Sequence, residues 1–152
     1  MLDPELLDML RALHGVAQDA RYHPEGDALY HSLQVFDLAR RDTNDPELWA
    51  AALFHDVGKA HPDEDCAHDE VGADLLEGLV SERVVWLVRH HLDLFKHPGR
   101  TRRRHAHSMQ LRDLEKLRRY DLGGRNPNAH VLTPEAAFAL LEEQYRYERN
   151  IH

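Results

Sequence analysis

Residues 47–60, ELWAAALFHDVGKA, read as an apolar helix that ends on two polar side chains. The inward stripe is Leu48, Ala51 and Ala52; His55 lies four residues beyond Ala51 and Asp56 four beyond Ala52, so helical spacing turns both inward. The same pattern recurs along the chain. His31 shares a stripe with Val35 and Leu38, His68 with Gly72 and Leu75, His91 with Val84 and Leu87, and Asp121 with Leu114 and Leu117. Polar groups from separate segments thus stand where the periodicity calls for apolar ones. One buried, unpaired polar group costs about 1–3 kcal/mol and an uncompensated carboxylate more, against a net domain stability of about 5–15 kcal/mol. The set needs shared compensation. A divalent cation supplies it, because neutral imidazoles and carboxylates are ligands of Mn, Fe, Ni, Co or Zn. The alternative, in which each imidazole finds its own carbonyl or carboxylate, is ordinary for one histidine and does not extend readily to the whole set.

The rest of the chain predicts an all-α fold, a compact bundle of about six to seven helices. Asp3-Pro4 starts a first helix reaching to about Ala20, with Leu6, Leu7, Leu10, Leu13 and Ala17 inward. A second carries Leu29, Leu33, Phe36 and Ala39; "NDP" opens the third, which delivers His55 and Asp56 before Gly58 breaks it. After the loop AHPDEDCA, residues 60–67, a fourth helix carries Val71, Leu75, Leu76 and Leu79, and Ser81 caps a fifth. Leu94 to His107 reads as a loop, Ser108 to Leu122 as the sixth helix, and Thr133-Pro134 opens a last one to about Glu148. No segment alternates long enough for a strand.

With 152 residues the chain is expected to form one domain, residues 1–152. Its one cysteine, Cys66, excludes an internal disulfide, suits a reducing compartment and is assigned no role. The start MLDPELLDML lacks a basic, then apolar, leader pattern, and no apolar run approaches membrane-spanning length, so a cytoplasmic location without a membrane partner is expected. A net charge of −8 argues against stable DNA binding. The one dense cationic run, Arg100, Arg102, Arg103 and Arg104 with His105 and His107, reads as a solvated loop or, functionally, as a lip drawing an anionic substrate towards the metal.

The ordered set His31, His55-Asp56, His68, His91 and Asp121, with HDVGK at residues 55–59, resembles the HD superfamily of metal-dependent phosphohydrolases over roughly Tyr22 to Glu143. YHPEGDALYHSLQVFDLA at 22–39 and AALFHDVGKA at 51–60 are similar to the HD domain of bacterial CCA-adding enzymes, which hydrolyses phosphate esters including 2′,3′-cyclic phosphates. HDEVGADLLEGLVSERVVWLVRHH at 68–91 and KLRRYDLGGR at 116–125 look like segments of the phosphonate-cleaving di-iron oxygenases. Tyr22 and Glu25 precede the first ligand where those oxygenases also place a Tyr and a Glu, whereas Lys59 follows the hydrolase pattern.

The resemblance implies that His31, His55, Asp56 and Asp121 hold one divalent metal. Asp56 can bridge to a second, for which His68 and His91 are the added ligands; with one metal these two imidazoles instead contact phosphate or move a proton. Lys59 reads either as a solvated lysine at a helix end or as a neutraliser of phosphate charge, and the resemblance favours the second. His91 is preferred over His90, which lies about 100° further round the helix. Of Arg118 and Arg119, which border Asp121, one is a candidate second anion contact in the cleft, with a surface position favoured for both. His14, His23, His61, His97, His105, His107, His130 and His152 read as ordinary, with His23 and His61 beside the mouth, and Trp49 and Trp86 as packing residues. Three functions follow: hydrolysis of a phosphomonoester or cyclic phosphodiester of a small, nucleotide-like substrate; di-iron oxygenation of a small polar compound such as a phosphonate; or non-catalytic nucleotide or metal sensing. The oligomeric state is open.

Overall fold

The computed structural model describes residues 1–61 and 67–151. Cys66 and most of the loop around it lie outside the described residues. The helices are α1 (Glu5–Arg11), α2 (Ala28–Asp42), α3 (Pro46–Phe54), α4 (His68–Leu76), α5 (Glu82–His90), α6 (Asp93–Lys96), α7 (Pro98–Arg104), α8 (Met109–Gly123) and α9 (Pro134–Ile151), with a 3₁₀ turn at Val57–Ala60. The fold is all-α; two isolated bridges, Ala17 with Asp27 and Glu77 with Val80, are the β pairing among the described residues.

Local chemistry sets the starts. Asp27 accepts from the Tyr30 N–H at the head of α2, Asp45 from Glu47 ahead of α3, Ser81 from Val84 ahead of α5 and Ser108 from Leu111 ahead of α8. Helix α3 is the axis of the molecule. All its residues except Glu47 are buried, and α2, α5, α8 and α9 pack around it. Each fully buried Leu or Phe side chain here, Leu48, Leu53 and Phe54 among them, contributes about 1.5–3 kcal/mol. Phe36 of α2 meets Trp49 edge to face at 5.9 Å. The indole N–H donates to the Thr43 carbonyl, so Trp49 is a core residue with its polar end satisfied. No helix among the described residues is long and apolar enough to cross a membrane.

Two expectations need correction. The first helix stops at Arg11 and does not run to about Ala20: tight i,i+3 bonds follow at Leu13, His14 and Val16, and Gly15 adopts φ +78°, which reverses the chain cheaply only at glycine. Leu13 is nevertheless fully buried, so its apolar spacing reported burial without helix. The expected loop from Leu94 to His107 contains most of α6 and all of α7. Pro98 occupies the first turn of α7, where its missing N–H costs nothing, and Thr101 pins the pair by donating to the Asp93 and His97 carbonyls.

Candidate metal centre

The interior of this shell holds a polar cluster of six residues drawn from five places. His31 comes from the first turn of α2, His55 and Asp56 from the end of α3, His68 from the first turn of α4, His91 from the end of α5 and Asp121 from α8. His31, His55, Asp56, His91 and Asp121 are buried, while the His68 side chain is 29 % exposed, giving the cluster one edge on solvent. The ligand atoms fall into two sets, His31 with His55 and Asp121, and His68 with His91 and Asp56; within each they lie within 4.8 Å of one another. Asp56 joins the sets. Its Oδ2 is 3.2 Å from His55 Nε2 and 3.8 Å from His31 Nε2; its Oδ1 is 3.3 Å from His68 Nε2 and 3.7 Å from His91 Nε2. Asp121 Oδ1 lies 2.8 Å from His31 Nε2 and 3.5 Å from His55 Nε2.

Backbone carbonyls orient the rings. His31 Nδ1 donates to Gly124, His55 Nδ1 to Ala52 and His91 Nδ1 to Val88, at 2.6–2.8 Å. A carbonyl only accepts, so Nδ1 carries the proton, and in a neutral ring Nε2 presents its lone pair inward. There it faces carboxylate oxygens, acceptor against acceptor. The Nε2 atoms of His55 and His91 are buried without a hydrogen-bond partner. Such a set fits a divalent cation, which satisfies the lone pairs and the carboxylates together.

Without metal, protons must do that work. Burial opposes charge on His55, yet Asp56 and Asp121 prevail and raise its pKa to about 10. Burial, reinforced by charged His55, lowers His91 to about 4. Despite burial, His55 holds the Asp56 carboxyl well below the usual carboxylate range, and His31 and His55 do so for Asp121. The ordinary imidazole value is about 6.5. The raised His55 value contributes stability that is complete below about pH 6.5 and is lost as pH rises towards 10. The depressed His91 value contributes stability that is complete above about pH 6.5 and is lost as pH falls towards 4. Chelated protein is therefore expected to melt at its highest temperature near pH 6.5. A melting temperature that climbs steadily from pH 6.5 to 9 in EDTA would contradict the charge assignment.

The Asp56 position departs from the helical reading. Helix α3 ends at Phe54, and Asp56 sits at φ −109°, ψ 11°, so the break at the helix end, not helical phase, turns its carboxylate between the two sets. Glycine makes this possible: a Cβ on Gly58 would lie 2.0 Å from the His68 carbonyl oxygen. The 3₁₀ turn abuts the start of α4, and that contact sets His68 beside Asp56.

A cavity of about 500 Å³ opens on the cluster, with Asp56, His68, His91 and Asp121 in its wall. Lys59, Lys96, Arg118 and Arg125 also line it. Lys59 Nζ is 3.1 Å from Asp56 Oδ2 and donates to Gln18 Oε1 at 2.5 Å. Arg118 lies over the Phe95 ring at 5.2 Å, and Arg125 donates to the Tyr22 carbonyl at 2.9 Å. Tyr22, Phe95 and Leu122, each at least half exposed, form an apolar rim.

Arg118 thus faces the cavity, contrary to the surface position expected, whereas Arg119 is exposed and pairs with Asp42. His23 lines the cavity and His61 does not. The run Arg100–Arg104 is no lip of this cavity: Arg100 and Arg104 line a separate one with Trp86 and His90. Sequence reasoning missed Gln18 and Arg125, whose spacing carries no signal. It noted Glu25 without its setting: the side chain is fully buried, with Oε1 2.7 Å from His23 Nδ1 and 3.2 Å from His31 Nδ1.

An all-helical shell closed around interior histidines and aspartates, with a cationic cleft at its open edge, has the donor set of a divalent-metal site. Residues 28–135 match the HD domain family, and the chain belongs to that family. It is similar to the multifunctional CCA protein of Hahella chejuensis, 40 % identical over 85 residues covering 53 % of this chain and 20 % of that protein. The multifunctional CCA protein of Methylococcus capsulatus is 49 % identical over 55 residues, 36 % of this chain and 13 % of that protein. That of Halorhodospira halophila is 41 % identical over 78 residues, 45 % and 18 % respectively. The chain spans a fifth or less of these relatives.

Proposed function

We propose that this chain, acting as a single HD domain over residues 1–152, is a metal-dependent phosphohydrolase of a small, nucleotide-like phosphomonoester or cyclic phosphodiester. The observation that carries this reading is the division of the Asp56 carboxylate between two histidine sets at the floor of a cleft walled by four cations. His31, His55 and Asp121 would hold one divalent ion, His68 and His91 a second, and Asp56 both. When bound, such ions polarise a phosphoryl oxygen and make water nucleophilic at neutral pH.

The chain's own residues supply the rest. Lys59, Arg118 and Arg125 neutralise the phosphate, and Lys59 is the cation in direct contact with Asp56. Should only one ion bind, His68, the member of the cluster with its side chain 29 % exposed, is the group placed to protonate a leaving oxygen. The apolar rim of Tyr22, Phe95 and Leu122 suits a base or sugar edge. The similarity to CCA proteins supports a nucleotide-related substrate.

Lys59→Ala is expected to keep its metal and lose turnover by on the order of 10²-fold, the scale of removing one donor to developing charge; unchanged turnover would return Lys59 to a solvated role. The decisive assay takes metal-loaded protein through 2′,3′-cyclic nucleotides, nucleoside monophosphates and phosphonates, with and without oxygen. Release of phosphate or ring opening under anaerobic conditions is expected. A second reading, di-iron oxygenation, draws on Tyr22 at the cleft and Glu25 against His31. Turnover of a phosphonate only in the presence of oxygen would establish it and overturn hydrolysis.

A further inference from the structure

Residues 95–112, FKHPGRTRRRHAHSMQLR, hold six lysines and arginines and no carboxylate, within a chain of net charge −8. The structure folds the middle of this stretch into α7 and places Arg100 and Arg104, one turn apart on the same face, beside a cavity of about 380 Å³ walled by Trp86 and His90 of α5, Thr101 of α7 and His105. This volume falls within the range of about 300–1,000 Å³ typical of small-molecule sites. Arg100 and Arg104 make no ion pair among the described residues, whereas Arg83, Arg89, Arg119 and Arg125 are all paired with carboxylates. The one acidic side chain in the wall, Asp93, is already engaged by His90 Nδ1 at 2.8 Å. Trp86 is held in place by His90, 4.5 Å away between ring centres, and by the edge of His105 at 5.4 Å. The cavity thus joins two unpaired guanidiniums, suited to bidentate grip on phosphate, to a fixed aromatic wall suited to a base.

We propose that the cavity between α5 and α7 is a second binding site, separate from the metal cleft, for a nucleotide whose phosphates lie between Arg100 and Arg104 and whose base lies against Trp86. Nothing in it requires the metal cluster, so it stands or falls independently of the hydrolase reading.

The test titrates metal-loaded protein with the hydrolysis-resistant α,β-methylene analogue of ADP, with adenosine and with inorganic pyrophosphate, following indole fluorescence. Trp86 and Trp49 are the two tryptophans, and Trp49 is buried in the core. The ADP analogue is expected to change the fluorescence, and the change to vanish in Trp86→Phe. The double variant R100A/R104A, altered only at exposed positions, is expected to keep its melting temperature and metal content and to bind about tenfold or more weakly. Lys59→Ala, in the cleft, is expected to bind as the parent does. Adenosine should bind far more weakly than the analogue. Affinity that survives R100A/R104A, or that falls with Lys59→Ala, would overturn the proposal; pyrophosphate binding as tight as the analogue would overturn the nucleotide assignment.

Discussion

Asp56→Ala protein is expected to come out of purification without its metal and without measurable turnover. Asp56 is the residue whose two oxygens face both histidine sets, so its removal takes a ligand from each half at once and leaves the Nε2 atoms of His68 and His91 with no carboxylate within 4 Å among the described residues. Loss of a partner that merely orients a ligand costs about 10–100-fold in metal affinity; loss of a ligand shared by both halves should exceed that upper figure. Asp121→Ala should differ. Of the cluster histidines, Asp121 faces His31 and His55, so that variant is expected to weaken one half and leave His68, His91 and Asp56 in place. Metal analysis of the two variants beside the parent measures this directly. Wild-type metal content in Asp56→Ala would remove the basis for the assigned centre; Asp56→Asn, which keeps the shape and loses the charge, guards against a folding defect.

Gly58→Ala is expected to be the most destabilising single methyl in the chain. The added Cβ would meet the His68 carbonyl oxygen at 2.0 Å, the Gly72 nitrogen at 2.7 Å and the His68 carbonyl carbon at 2.9 Å, all backbone atoms. Side chains can rotate out of an overpacked site; the first turn of α4 can yield only by moving as a unit. Overpacking commonly costs about 1–3 kcal/mol and occasionally more, and here the upper end applies, lowering the melting temperature by roughly 6–12 °C for a domain of this size. Because α4 carries His68, the same displacement should loosen metal binding. Gly15→Ala provides the contrast: nothing lies within 4 Å of its Cβ, and only its φ of +78° resists, at about 1 kcal/mol. If Gly58→Ala melted within about 2 °C of the parent, the close packing of the 3₁₀ turn on α4 would be wrong.

The histidine and aspartate positions were legible because burial has a period. His31, His91 and Asp121 stand in stripes of Val35, Val84, Leu87, Leu114 and Leu117, which are buried, and a helix cannot bury those without burying what lies between them. Apolar spacing also predicted the all-α class, and turn and cap residues the starts of α3, α5 and α8. Apolar spacing overextended α1, since Leu13 is buried from a turn, and it passed over α6 and α7, which are short and, in α7, largely exposed and rich in arginine, so that no apolar stripe announces them.

The chain taken alone determined which side chains leave water: the spacing of His31, His55, His91 and Asp121 is a property of local helical geometry, decided within a few residues of each. Tertiary structure alone decided how they meet. The division of Asp56 between two sets, the entry of Arg118, Arg125 and His23 into the cleft, and the separation of Arg100 and Arg104 from it depend on contacts between elements, from 12 positions apart for Asp56 and His68 to 103 for Tyr22 and Arg125. Those distances are set by how helices pack and by Gly58, where two backbones touch without a side chain between them.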